Sequence, residues 1–235
     1  MSDTVCHSQP AYILHQQAYR ESSLIIDVLT RDLGRMSLIA KGVRKTKSKT
    51  VGQLRPFAAL SLSFFGRSDL KTLTDVETIG LSDELTGLTL YCGFYINELV
   101  CHFLHKDDPH PEVFEDYQQC LSGLVQGAQV EAALRTFELN LMDNIGYGIN
   151  FSYDLHHEKP MALNKKYRFN KEAGLIEAAD GQFLGTSLMA MAQRNFEDPQ
   201  TLSEAKLLMR TVIDSHLQGK RLNSRSVINS IVKRL

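Results

Sequence analysis

The chain has 235 residues, 43% of them hydrophobic and 23% charged, with a formal net charge of −1. That length and apolar content suit one large domain or two small ones, and they exclude a disordered, collagen-like or low-complexity chain. No stretch approaches the ~18 consecutive apolar residues of a membrane span, the first twenty residues lack the basic start and apolar run of a secretory signal, and the near-neutral sum argues at first sight against a nucleic-acid partner.

The first 80 residues read as a small β-barrel. Residues 12–17 read as a first strand and 23–30 as a second, the latter rich in β-formers. Asp32, Leu33, Gly34 and Arg35 supply turn chemistry, with Gly34 able to take a positive φ. Residues 36–42 follow as a third strand, and 42–52 form a basic polar connection. A fourth strand is expected over 54–65, where Leu60, Leu62 and Phe64 alternate with Ser61 and Ser63 and Pro56 marks the start or an edge. Residues 66–69 are a hairpin turn and 70–77 a fifth strand. Five short strands without a long helix suit a Greek-key barrel, of which the OB-fold is the commonest; pattern alone leaves an SH3-like barrel open.

The remaining residues are mainly helical. Helices are expected over 86–104, 112–125, 130–145, 186–193, 201–218 and 223–233, from their apolar faces and from punctuation such as Pro109, Pro111, Gly146 and Gly148. A small β-hairpin insertion is expected near 152–185, with Tyr167, Arg168 and Phe169 on one arm and Leu175 and Ile176 on the other. The fold class is therefore α+β: a five-stranded barrel domain over 1–80, then a mainly α-helical domain over 81–235.

Charge is divided between the two parts. Residues 1–80 hold 11 Lys and Arg against 7 Asp and Glu, a balance of +4, and residues 81–235 hold 15 against 20, a balance of −5. Residues 33–68 contain no acid at all and carry Arg35, Lys41, Arg44, Lys45, Lys47, Lys49, Arg55 and Arg67. Eight cations without an anion attract polyanions whatever the chain sums to; the plainer alternative is a solvated basic loop. Phosphates need such a run of cations, and bases need apolar or aromatic faces. Tyr19, Phe57, Phe64 and Phe65 are candidate stacking residues, although an aromatic on a strand is more often core, and none is singled out.

Arg135, in the third helix, is the one Lys or Arg between Gln118 and Leu155. Beside exposed apolar surface it would clamp the carboxylate of a partner peptide; the alternative is a local pair with Glu138 or Glu131. The four cysteines, Cys6, Cys92, Cys101 and Cys120, lack zinc-site spacing and suit reduced thiols in a cytoplasm. Cys101, His102, His105 and His110 are close in sequence, but a polar helix end explains them as well. The phosphate loop, the dinucleotide fingerprint and the G-x-S-x-G and H-E-x-x-H patterns are absent, so no catalytic residues are assigned.

Three segments, in this order, carry a family resemblance: Ala40-Lys41-Gly42-Val43-Arg44; Tyr95-Ile96-Asn97-Glu98-Leu99; and Leu134-Arg135-Thr136-Phe137-Glu138 with Gly146-Tyr147-Gly148-Ile149-Asn150-Phe151. With Glu21-Ser22-Ser23-Leu24, Leu54-Arg55-Pro56-Phe57 and Leu70-Lys71-Thr72-Leu73, they resemble the bacterial recombination mediator family RecO over almost the full length. The resemblance implies an N-terminal OB domain and a non-enzymatic DNA repair function. That function is binding single- and double-stranded DNA, annealing complementary strands and, with RecR, helping RecA load onto DNA coated by single-stranded DNA-binding protein.

It further implies binding of that protein's acidic, apolar C-terminal tail, for which Arg135 is the expected clamp, and a cytoplasmic location, nucleoid-associated when bound to DNA. Lys41, Arg44, Lys45, Lys47 and Lys49 are expected to carry most of the DNA affinity, with Arg35, Arg55 and Arg67 as flanks. Many relatives carry paired cysteines in a zinc-finger-like insertion; residues 152–185 here contain no Cys. A metal-free hairpin packed by Tyr167, Phe169 and Ile176 is therefore expected, with no cofactor. The competing reading is a protein-interaction adaptor whose basic barrel docks acidic protein surfaces, and a weaker one is a nuclease with scattered acids.

Overall fold

A computed structural model describes residues 4–45, 50–80 and 84–232. The backbone divides into two compact units, residues 1–127 with 224–235, and residues 128–223.

The first unit is built on a closed five-stranded barrel. Its strands are β1 (Thr4–Tyr19), β2 (Ser23–Thr30), β3 (Gly34–Ala40), β4 (Leu60–Gly66) and β5 (Leu70–Thr78), with a short helix α1 (Thr50–Gln53) between β3 and β4. The strand order is β1-β2-β3-β5-β4, closed by β4 on β1, and β3 and β5 run parallel. This is the OB-like topology, and it decides between the two barrels that pattern left open. Alternation fills the interior with Ile13, Ile26, Val28, Met36, Leu38, Leu60, Leu62 and Phe64.

Two strands differ from their sequence expectation. β1 begins at Thr4 rather than at residue 12, because its first half pairs with β4 (Thr4 opposite Gly66, Ala11 opposite Leu60) and its second half with β2. Bulges between Cys6 and Gln9 and between Ile13 and His15 let one strand serve both ladders. β4 begins at Leu60, not at 54. Pro56 has no N–H for a ladder and Phe57 turns to φ 67°, so the chain leaves α1 through a turn before pairing.

Helices α2 (Gly87–Phe103) and α3 (Pro111–Gln126) belong to the same unit and pack on the outer side of β1. The Tyr12 ring lies 5.3 Å from Phe114 and 5.0 Å from Tyr117 between centroids. Buried Asn97 donates to the Leu14 carbonyl at 2.9 Å and accepts from the Tyr117 hydroxyl at 2.6 Å. That network reaches β1 at the Ile13/His15 bulge, where a ladder carbonyl is released and needs a donor. At the β2–β3 tip, Gly34 has φ 72°, and a Cβ there would stand 2.2 Å from the Asp108 carbonyl oxygen. Only glycine admits both the turn and the close passage of residues 106–108. Helix α7 (Asn223–Val232) returns to this unit, its Ser224 N–H and hydroxyl donating to Glu98 at 2.9 and 2.5 Å.

The second unit holds α4 (Val130–Asn144), the pair β6 (Tyr153–Asp154) and β7 (Lys159–Pro160), and a sheet ordered β10-β8-β9. The sheet's strands are β8 (Lys166–Asn170), β9 (Gly174–Glu177) and β10 (Phe183–Leu184). Helices α5 (Gly185–Ala192) and α6 (Pro199–His216) complete it. The expected hairpin is β8–β9, with Tyr167 and Ile176 buried and Phe169 half-buried. Asp198 caps α6, accepting from the Thr201 N–H at 2.7 Å, and Pro199 occupies its first turn. Among the described residues no helix is long and apolar enough to cross a membrane.

Candidate nucleic-acid interface

Strand register decides which cations stand together. Leu24 pairs with Ala40, so the turn that precedes β2 abuts the segment that leaves β3. There the Arg44 N–H donates to the Ser22 carbonyl at 2.9 Å and its guanidinium to the Arg20 carbonyl at 3.3 Å. Val43 is buried in the barrel core between them, which fixes the turn while Lys41, Arg44 and Lys45 remain exposed. Lys47 and Lys49 lie outside the described residues. Arg20 is a cation that the acid-free window misses, because Glu21 and Asp27 follow it. It stacks on Tyr19, 5.2 Å from the ring centroid. The signal that finds it is the antiparallel order of the first three strands, which folds the turn at 20–22 against 41–44.

The flanking cations are placed differently. Arg35 is half-buried on β3; its carbonyl accepts from the Asp107 N–H at 2.8 Å and its side chain meets the Cys101 thiol. Burial pushes that thiol up while Arg35 draws it down. Beside it, Lys106 donates to Ser37 at 2.6 Å and lies 3.9 Å from Asp27, and Ser37 also donates to Asp27. This part of the outer β2–β3 surface is thus occupied by the chain's own residues 101–107. Arg55 is exposed and pairs with Glu84 at 2.6 Å. Arg67 is exposed in the β4–β5 turn, which enters the β3–β5 ladder at the end opposite to the one Lys41 leaves. Among the other proposed stacking residues, Phe64 is core, Phe65 is exposed opposite Val5, and Phe57 is half-buried.

In the second unit, Arg135 is 8% exposed and its guanidinium donates to Glu138, itself 1% exposed, at 2.6 Å. The local i,i+3 pair weighed from the sequence is thus formed.

The insertion does not fit a zinc ion. Its organiser is the fully buried carboxylate of Asp154. One oxygen accepts from the N–H groups of His156 and His157, each at 3.0 Å, and the other from the Glu177 N–H at 2.7 Å and the His157 ring at 2.8 Å. Such a carboxylate has its lone pairs occupied by donors and joins β6 to β9 without a metal. No group of three His, Cys, Asp or Glu that could hold a metal ion occurs among the described residues, including around His102, His105 and His110.

Burial alone would push Asp154 up; the Glu177 N–H and the His157 ring and N–H outweigh it and hold the carboxyl well below the usual carboxylate range. A depressed folded pKa gives stability that is present above the ordinary carboxylate pKa, about 4, and is lost as pH falls below it. Thermal melts of wild type should therefore lose midpoint progressively as pH falls below about 4. Asp154→Asn should melt lower at about pH 7 with a shallower acid decline; equal acid slopes for the two proteins would remove this role.

A barrel of OB topology that presents a basic turn, joined to a helical unit with a small sheet, defines a class: OB-like proteins with an appended helical domain. Comparison with known proteins narrows it. The family model described as Recombination protein O N terminal matches residues 1–81, and Recombination protein O C terminal matches residues 85–226. The chain is 39% identical over 224 residues to DNA repair protein RecO of Coxiella burnetii (strain RSA 493 / Nine Mile phase I), covering 94% of this chain and 96% of that one. It is 37% identical over 231 residues to DNA repair protein RecO of Pasteurella multocida (strain Pm70), covering 97% and 96%. The chain belongs to the RecO family of DNA repair proteins.

Proposed function

We propose that this chain is a recombination mediator that binds single- and double-stranded DNA through the basic turn of its barrel and anneals complementary strands. The observation that carries this reading is the joining of Arg44 to the Arg20 turn, which groups exposed cations from two connections at one place on an OB-like barrel. Annealing needs two phosphate backbones held close without locking either. Long cationic side chains on turns do this, because counterion release is independent of sequence and operates on single and double strands alike. The chain acts by binding and makes or breaks no bond.

The same reading makes RecR a partner and RecA the protein loaded after it, on DNA previously coated by single-stranded DNA-binding protein, in the cytoplasm and on the nucleoid. It assigns the acidic C-terminal tail of that coating protein to Arg135, whose guanidinium the tail carboxylate must share with Glu138.

The test is an annealing assay with labelled complementary oligonucleotides, bare or coated, in magnesium. The expected result is duplex formation faster than the spontaneous rate, with both strands intact. Absence of oligonucleotide binding overturns the proposal in favour of the adaptor reading, and strand cleavage overturns it in favour of a nuclease.

A further inference from the structure

The segment between α1 and β4 is pinned at both ends. Leu54 and Ala58 are buried in the barrel core, and the Leu54 carbonyl accepts from Gln16 at 2.7 Å. Between them Arg55, Pro56 and Phe57 bulge outward, with Phe57 at φ 67°, a region that aromatic residues rarely adopt. The Phe57 ring lies against α2 at Gly93, where a Cβ would stand 2.8 Å from its Cε1. The missing side chain lets the ring sit on the helix backbone. The next residue, Phe94, is 42% exposed and meets Phe57 edge to face, with centroids 5.2 Å apart at 66°. These two rings, with Leu85 and Leu90, line a cavity of about 300 Å³ that Arg55 and Glu84 also border.

We propose that this cavity receives one unstacked base of single-stranded DNA, held by Phe57 and Phe94, with Arg55 on the adjoining phosphate. The inference rests on the DNA-binding reading above and adds to it a strand-selective site away from the basic turn. Three observations favour a base. The cavity has the size of a small-molecule site, and its aromatic walls suit any base. The sequence from Lys41 to Arg55 carries six cations and no acid, so the stretch that ends at Arg55 attracts a phosphate backbone. The Arg55–Glu84 pair is half or more exposed on both sides, 50% and 70%, and such screened pairs exchange partners at little cost. A duplex cannot fill the cavity without extruding a base.

The test measures affinity of the full chain for a single-stranded oligonucleotide and for its duplex by fluorescence anisotropy, in wild type, Phe94→Leu and Phe94→Trp. Phe94→Leu keeps apolar volume and removes the aromatic face; it should weaken single-strand binding about tenfold and leave duplex binding within about twofold. Phe94→Trp should retain single-strand affinity. A 2-aminopurine in the single strand should change emission on binding wild type and Phe94→Trp, but not Phe94→Leu. Equal single-strand affinity of wild type and Phe94→Leu, or equal losses on single strand and duplex, overturns the cavity while leaving the basic turn intact. If wild type binds no DNA, the functional proposal fails first.

Discussion

Replacing Lys41, Arg44, Lys45, Lys47 and Lys49 together with glutamine lowers DNA affinity on the order of 100-fold or more near physiological salt and flattens its salt dependence. Each phosphate neutralised contributes roughly 0.9 to the slope of log affinity against log salt on duplex and roughly 0.7 on single strands. If each of these five side chains neutralises one phosphate, their replacement takes about 4.5 from the duplex slope and about 3.5 from the single-strand slope. Lys41, Arg44 and Lys45 are exposed and their side chains project from a turn, so their replacement leaves the core untouched. Val43 in the core and the Arg44 N–H on the Ser22 carbonyl hold the turn and survive the substitution, which removes only the exposed bond of the Arg44 guanidinium to the Arg20 carbonyl. Affinity should therefore fall with no change in melting temperature. Salt titrations of anisotropy on both substrates read the effect, and an unchanged slope would remove these cations from the interface. The comparison with Phe94→Leu is informative, since the turn should act on both substrates alike and the cavity only on single strands.

The second large effect is on stability. Arg135→Ala should destabilise the unit formed by residues 128–223 by about 3–5 kcal/mol, because it removes a buried cation that stands 2.6 Å from a buried carboxylate. Arg135 and Glu138 are both buried, so solvent cannot replace the lost partner. Replacing both by similar-sized apolar residues, Arg135→Met with Glu138→Leu, should recover most of the loss, since the desolvation cost of both charges disappears with them. Chemical denaturation of the single and double variants reads this. Equal stability of Arg135→Ala and wild type would show the pair to be without weight. The same experiment qualifies any peptide-binding assay on Arg135→Ala: a tail clamp is demonstrated only if the double variant, folded, also loses the tail.

Much of the fold was legible. Residues 23–30 coincide with β2, because β-branched and apolar residues dominate there and turn chemistry bounds them. The helices were legible from their wide apolar faces. The first half of β1 was not, because Ser8, Gln9 and Pro10 carry no strand pattern: Ser8 sits in the Cys6/Gln9 bulge at φ 53°, and Gln9 and Pro10 become strand by pairing with β4, far along the chain. The outward turn at Phe57 is hidden for the same reason: Leu54 stands at the head of the segment leading to Leu60, but it is a core residue between α1 and β4, not part of a strand.

The site shows the same division. The positive charge of Lys41, Arg44 and Lys45 was plain from an acid-free window, but the company of Arg20 required the Leu24–Ala40 register. Arg35 looked like another cation of that window, yet the approach of residues 101–107 turns it toward Cys101. For Arg135 the chain's own letters allowed a clamp or a local pair, and both use the same guanidinium chemistry.

The sequence by itself determined most of the strands and helices, the division of charge and the identity of the cations, because periodicity and composition are local properties of the chain. Only the tertiary structure decided which cations stand together, which are buried in pairs, and that Phe57 and Phe94 line one cavity with Leu85 and Leu90. Neighbours are set by ladder register and packing rather than by distance along the chain, and the worth of a charge or a ring depends on the water left around it.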